Sequence, residues 1–308
     1  MNGEGLADVQ YLDEQQVRSL LTYEALIPAV ERALIDLSAG RIRQPVRTIM
    51  PVPEYRGLFA LMPAVDGELM GVKLVTVYPA NTKQPTHQAV IQLLAAKTGE
   101  PLLAMDGRLI TEMRTAAVSA VATRLLAGMD AQVLAILGSG VQARSHLRAL
   151  RLVREFDTVR VWNRTDENAR SFGEETGATA MPSAEVAIRG ADVVVSVAST
   201  REPLVRGAWL KEGALVCAIA TVGPDSRELD DTAMQGEIIV ESREAARRES
   251  GDLIGSGAEI AAELGELLAG TRSLTGGGKW VIFKSLGVAA TDLAAARLVW
   301  EGWRAGGT

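Results

Sequence analysis

The run VLAILGSGVQARSHLRAL, residues 133–150, constrains the fold more than any other part of the chain. It reads as a buried strand, a tight turn and a helix in immediate succession, with Gly138, Gly140 and Ala143 in a GxGxxA arrangement. The first glycine permits the sharp turn, and the second lets backbone amides approach a pyrophosphate. The small third residue lets helix and strand pack closely, and the helix N-terminus faces the anion. Any glycine turn between a strand and a helix can show this spacing, so context decides. Here a second strand, TVRVWN, ends about 20 residues later, where the adenosine ribose of a dinucleotide belongs.

Around that motif the sequence alternates short β-branched runs with helical patterns, as a parallel sheet covered by helices requires. QVLAILG, TVRVWN, ADVVVSVAS, ALVCAIA and EIIV are apolar almost throughout, which suits strands buried on both faces. The first 125 residues differ. A helix over Glu24 to Ser38 is followed by the strand-like pieces GLFALMPAV, GVKLVTVYP and HQAVIQLLAA, joined by turns with Pro and Gly, an α+β pattern. A helix from about Glu112 to Ala127 leads into the second region, and TDLAAARLVWEGW reads as a further amphipathic helix. At 308 residues the chain exceeds one hydrophobic core. The expected architecture is therefore α/β: an N-terminal α+β domain over 1–125 and a Rossmann-type doubly wound parallel sheet over 126–285. The C-terminal helix, 286–308, is expected to return to the first domain.

The second strand ends in Asn163-Arg164-Thr165, where an Asp or Glu would otherwise bind a free ribose 2′-hydroxyl. An acid there would repel a 2′-phosphate, whereas a guanidinium beside an amide and a hydroxyl supplies charge-assisted donors. NADP(H) is therefore expected in preference to NAD(H), unless Arg164 is merely a solvated loop residue.

Composition excludes several other partners. A net charge of −6 without a basic stripe argues against nucleic acid, and no apolar run reaches the ~18 residues of a membrane span. The acidic start MNGEGLADVQYLDEQQV lacks the pattern of a signal peptide, so a cytoplasmic location is expected. Two histidines and no CxxC leave little basis for a metal site. Cys217, within GALVCAIA, reads as a buried thiol.

Three cations in the first domain interrupt apolar or helix-starting contexts: Arg47 in QPVRTIMPV, Lys73 in GVKLVTVYPAN and Arg114 in ITEMRTAAVSA. Singly, Lys73 could lie on the wet face of an edge strand and Arg47 in a surface loop. Arg114 is more telling, because the sequence places it in the first turn of a helix capped by Thr111. A cation there opposes the helix dipole and calls for a nearby anion, such as a substrate carboxylate.

Together, GVKLVTVYPAN, HQAVIQLLAAKTGEPLLAMDG, LITEMRTAAVSAVA, LGSGVQARSHLRAL and VIFKSLGVAATD resemble the ornithine cyclodeaminase/μ-crystallin family, in the same order and over nearly the whole chain. The resemblance implies a homodimer acting on a small imino or amino acid, with the N-terminal domain supplying dimerisation and substrate contacts. Carried over by motif, Arg47, Lys73 and Arg114 would hold the substrate carboxylate beside the nicotinamide, Lys73 and Arg114 being the catalytic pair. Two guanidinium groups nearby should disfavour the Lys73 ammonium, which suits proton donation near neutral pH. Thr86 and His87 would neighbour the cofactor, although a histidine after Pro85-Thr86 could equally satisfy a backbone carbonyl. Gly138, Gly140, Val141, Gln142, Asn163, Arg164, Thr165 and Asn168 match dinucleotide contacts, and Ser199, Thr200, Val222 and Ser285 would border the nicotinamide end.

One departure bears on the reaction. Cyclodeaminases of this family resemble one another at a catalytic aspartate after the strand written here ALVCAIA. Alignment on Pro224 and Glu228-Leu229 puts Val222 at that position. Valine cannot act as a base, and Asp225 would serve only if the loop were remodelled. The expected activity is reduction of a cyclic ketimine carboxylate, as in the μ-crystallin-like ketimine reductases. Ornithine cyclodeamination, alanine dehydrogenase-like reductive amination and non-catalytic binding are the alternatives.

Overall fold

The computed structural model describes residues 9–198, 200 and 202–306. The chain divides into two units: the described residues up to Arg114 with those from Val288 onward, and Thr115–Gly287.

In the first unit, β1 (Tyr11–Leu12), α1 (Glu14–Leu20) and α2 (Tyr23–Ser38) precede β2 (Thr48–Val52), β3 (Gly57–Asp66), β4 (Leu69–Val77), β5 (His87–Ala95) and β6 (Pro101–Asp106). The sheet order is β1-β6-β5-β4-β3-β2, antiparallel except for the β1–β6 pair. Burial alternates along the strands: Ala60, Met62 and Ala64 of β3, Leu69, Gly71, Lys73 and Val75 of β4, and Ala89, Ile91 and Leu93 of β5 are covered. This period of two follows from the pleat. The C-terminal helix (Ala289–Gly306) packs on α2, β3 and β4. Gly71 allows that approach, since a Cβ there would lie 2.9 Å from the Gln92 carbonyl oxygen and 3.2 Å from Leu293.

The helix α3 (Arg108–Leu126) starts earlier than the sequence suggested. Asp106, at the end of β6, accepts from the backbone amides of Arg108 and Leu109 at 3.1 Å each, and so does the work of a cap. Thr111, expected as the cap, lies within the helix and donates to the Gly107 carbonyl at 2.8 Å. Arg114 therefore sits in the second turn, where the end of the dipole is felt less than in the first.

The second unit runs β7 (Val133–Leu137), α4 (Val141–Arg151), β8 (Thr158–Trp162), α5 (Asp166–Thr176), β9 (Thr179–Ala180), α6 (Ala184–Ile188), β10 (Val193–Ser196) and β11 (Leu215–Ala218). It continues with β12 (Glu237–Val240), α7 (Arg243–Glu249), α8 (Gly251–Ser256), β13 (Ile260–Glu263), α9 (Leu264–Leu268) and β14 (Val281–Lys284); the C-terminal helix is α10. All strand pairs are parallel, in the order β13-β12-β14-β11-β10-β7-β8-β9. The chain winds outward in one direction through β8 and β9 and in the other from β10, so the topological switch lies between β7 and β10. Open α/β sheets bind ligands at such a point. This is the doubly wound sheet and α+β unit that the sequence led us to expect. No helix among the described residues is long and apolar enough to cross a membrane.

β9, β13 and β14 lie outside the strand-like runs of the sequence, and β14 ends in a charge. Lys284 is fully buried and pairs with Glu228 and, at 3.0 Å, with Asp252. Burial alone would lower its pKa, but the two carboxylates outweigh burial and hold it above the ordinary lysine value. Lys284 also donates to the Thr221 carbonyl (3.1 Å) and hydroxyl (3.2 Å), and Glu228 accepts from the amides of Ala220 and Thr221. The loop after β11 is thus tied to a buried ionic cluster. Replacing Lys284 by Met would leave two carboxylates buried without their cation, and should cost about 3–5 kcal/mol in urea unfolding. A change below about 1 kcal/mol would contradict this role.

Candidate functional site

Two groups of residues, one in each unit, carry the chemistry. In the second unit, a cavity of about 350 Å³ at the switch point is lined by Gly138, Gly140, Asn163, Arg164, Thr165, Asn168 and Thr200, with Ser139, Trp162, Val197, Ala198 and Leu204. Gly138 has φ +116°, and a Cβ there would sit 3.1 Å from backbone atoms of Val197 and Ala198. Gly140 is the N-cap of α4, makes no side-chain cap, and faces open space where a Cβ would go. The first α4 amides are thus available to an anion. Gln142 has a buried Oε1 without a hydrogen-bond partner among the described residues, and Val141 is exposed.

The ribose end is organised by Asn163. Its Nδ2 donates to the Ser139 hydroxyl at 2.8 Å, and its Oδ1 accepts from the Thr165 amide at 2.9 Å. Arg164 is left exposed at the strand end, on the cavity wall. Thr200 donates to the Glu202 carbonyl at 2.6 Å. Ser285, just past β14, is buried with a hydroxyl that has no hydrogen-bond partner among the described residues, and Val222 is exposed. Asp225 is exposed in the turn after Gly223. Ser199 lies outside the described residues. These features fit a dinucleotide: a cradle at a glycine turn, free helix amides and polar groups at the second strand end.

In the first unit, Lys73, Arg114 and a residue the sequence did not single out, Asp292 of α10, form one buried cluster. Lys73 Nζ lies 2.7 Å from Asp292 Oδ2, and Arg114 Nε donates to Asp292 Oδ1 at 3.0 Å. None of the three is more than 5% exposed. β4 is an interior strand and Lys73 lies on its covered face, so the wet-edge alternative is excluded. The anion that Arg114 called for is supplied by the protein itself. Even so, Arg114 Nη1 is buried with no hydrogen-bond partner among the described residues. Such a donor is costly unless a ligand takes it.

Burial pushes the Lys73 ammonium down to about 7; Asp292 works against that shift, and Arg114 and Arg47 add to it. Burial also raises the Asp292 carboxyl, but Lys73 and Arg114 outweigh it and hold it below the usual carboxylate range. Arg47 is half-buried just before β2 and acts electrostatically on both. Burial, then Lys73 and Arg114, bring His87 down to about 4, so it is neutral at pH 7. Thr86 is exposed, and its carbonyl accepts from the Tyr78 amide at 2.7 Å. A lone acid in the apolar run VAATDLAAA was the one sequence signal that pointed to Asp292.

The other histidine, His146, has a different place. It is buried in α4 and lowered to about 4 by burial. Its Nδ1 lies 2.7 Å from the Gln142 carbonyl and its Nε2 3.0 Å from the Ser119 hydroxyl. A carbonyl only accepts, so Nδ1 carries the proton and Nε2 accepts from Ser119.

A doubly wound sheet with a glycine cradle at its switch point, joined to a mixed-sheet unit with a buried cation cluster, defines a Rossmann-type dinucleotide-fold protein. The chain belongs to the ornithine cyclodeaminase/mu-crystallin family, whose family model matches residues 8–307. Ketimine reductase mu-crystallin of Mus musculus is 44% identical over 307 residues, covering 96% of this chain and 98% of that one. The structure of Thermococcus litoralis Delta(1)-pyrroline-2-carboxylate reductase in complex with NADH and L-proline has a TM-score of 0.90 at 35% identity, covering 96% and 98% of the two chains. An archaeal alanine dehydrogenase dimer with bound NAD has a TM-score of 0.89 at 30% identity, covering 96% of each chain.

Proposed function

We propose that the protein is a nicotinamide-dependent ketimine reductase that converts a cyclic ketimine carboxylate, such as Δ1-pyrroline-2-carboxylate or Δ1-piperideine-2-carboxylate, to the cyclic amino acid. The observation that carries this reading is Arg114 Nη1, a buried guanidinium donor with no hydrogen-bond partner among the described residues, beside a lysine poised near neutrality. A planar ring carboxylate suits that donor, with Arg47 as the second cation. The named activities of the mouse and Thermococcus relatives agree with it.

In this reading the first turn of α4 and the glycines at 138 and 140 hold the pyrophosphate, and Asn163, Arg164, Thr165 and Asn168 the adenosine ribose. When bound, the reduced nicotinamide supplies the hydride for the C=N carbon. Arg114 and Arg47 fix the substrate carboxylate and so orient that carbon. Lys73 holds a proton at the ring nitrogen, and C=N becomes CH–NH by gain of one hydride and one proton. His87, being neutral, can donate or accept a hydrogen bond there without adding charge. Positioning and preorganised charge do the protein's share of the work.

Val222 and the exposed Asp225 favour reduction over cyclodeamination, because neither puts a buried base in the loop after β11. A homodimer goes with this reading. The uncovered face of the first sheet presents Phe59, Leu74 and Val90 around a shallow cavity of about 310 Å³, and the archaeal relative is a dimer. Sedimentation at the mass of a single chain would contradict it.

A panel assay tests the activity. Reduction of the two cyclic ketimines with NADPH is expected, together with no ammonia or proline above background from L-ornithine with NAD. Ornithine turnover at a comparable rate would reverse the assignment. The cofactor is tested separately. NADPH should be preferred to NADH, and Arg164→Ala should raise the KM for NADPH while leaving NADH use nearly unchanged. Equal use of both cofactors by the unaltered protein would overturn the preference.

A further inference from the structure

We propose that Asp292 is the positioning residue of this site: Oδ1 fixes the Arg114 guanidinium through Nε and Oδ2 fixes the Lys73 ammonium, leaving Arg114 Nη1 for the substrate carboxylate and Lys73 aimed as the proton holder. The inference rests on the reading of the site as a ketimine carboxylate site.

The geometry is that of one anion dividing two cations, at 3.0 Å and 2.7 Å, with all three side chains buried. A guanidinium has five donors in a rigid fork, so a carboxylate engaged at Nε leaves other donors for a second anion. Asp292 is itself held firmly. It lies in the first turn of α10, where the Ala290 amide donates to Gln44 Oε1 at 2.8 Å and the Thr291 hydroxyl to the Val288 carbonyl at 2.9 Å. The neighbouring Leu293 is seated against Gly71, two residues from Lys73 on the same strand face.

Three charged groups act on Lys73 from the elements around it, Asp292 from α10, Arg114 from α3 and Arg47 ahead of β2, and Lys73 in turn acts on His87 at the start of β5. Asp292 is the only anion among them. Burial and both arginines disfavour the ammonium, so Asp292 alone opposes its loss. Without the carboxylate, the proton on Lys73 would be held less tightly and Arg114 would be free to turn. The substrate carboxylate adds a second negative charge to the cluster, which favours the ammonium just when a proton is needed.

The test is the titration of Lys73, followed by NMR of protein carrying [13Cε]lysine and assigned by the signal lost in Lys73→Met. In the unaltered protein Lys73 should titrate at about 7. In Asp292→Asn its midpoint should fall by at least about one unit, a tenfold loss of proton affinity, and Asp292→Glu should restore most of it. Ketimine reduction requires the ammonium, so it is lost as pH rises through the Lys73 pKa. The alkaline limb of kcat/KM should therefore move to lower pH in Asp292→Asn by the same amount, with activity partly recovered in acid. Titration of the substrate imine is common to both proteins and cancels in the comparison. An unmoved Lys73 midpoint, or an activity loss equal at every pH, would overturn the proposal. Failure of the activity reading appears separately, as absence of ketimine turnover in the unaltered protein, while the NMR midpoints still decide the part played by Asp292.

Discussion

The interaction on which the first unit depends is the burial of an ammonium on an apolar sheet face. Lys73 takes its turn in the covered register of β4, between Gly71 and Val75, where the pleat would ordinarily place a hydrophobic side chain. Taking a charge out of water costs several kcal/mol, about as much as many whole domains have to spare. Such a charge is kept only with a partner of opposite sign; without one, burial would strip the lysine of its proton. Asp292 provides that partner from the far end of the chain, so α10 must return to this sheet and pack closely, which Gly71 allows. The fold of the unit and the charge state of its most unusual side chain follow from the same contact.

The second unit solves a similar problem with a different sign. Glu228 and Asp252 are two buried carboxylates sharing one buried lysine, and the surplus negative charge is met by backbone amides of residues 220, 221, 228 and 229. A loop held in this way leaves little freedom to the residues beside it. Val222 follows that anchored stretch directly, with its side chain exposed.

Local signals are legible in the sequence because local physics decides them. The β-branched runs VLAIL, TVRVW and EIIV form strands where expected, and the glycine spacing at 138 and 140 produces the turn its sterics require. Structure departs from the local pattern where a distant partner or a competing cap decides the outcome. Thr111 resembled a cap, but Asp106 lay nearer the true helix start and accepts two amides. VIFK is a central strand whose closing lysine takes its partners from 56 and 32 residues earlier in the chain, 284 − 228 and 284 − 252, which no local pattern shows. The part of Asp292 is hidden in the same way, since it lies 178 residues from Arg114. The three cations were visible one by one. What joins two of them is visible only once α10 and β4 are in contact.

The central claim is that a buried, partly satisfied guanidinium beside a lysine near its pKa recognises a ring carboxylate. Calorimetric titration with pyrrole-2-carboxylate and its neutral isostere pyrrole-2-carboxamide, in the presence of saturating NADP, tests this most directly. The account predicts that the carboxylate binds and that the carboxamide, which brings no charge to Arg114, binds at least about 100-fold more weakly, in line with ~3 kcal/mol for a charge-assisted contact. Equal affinities for the two would show that the cluster does not read a carboxylate at all.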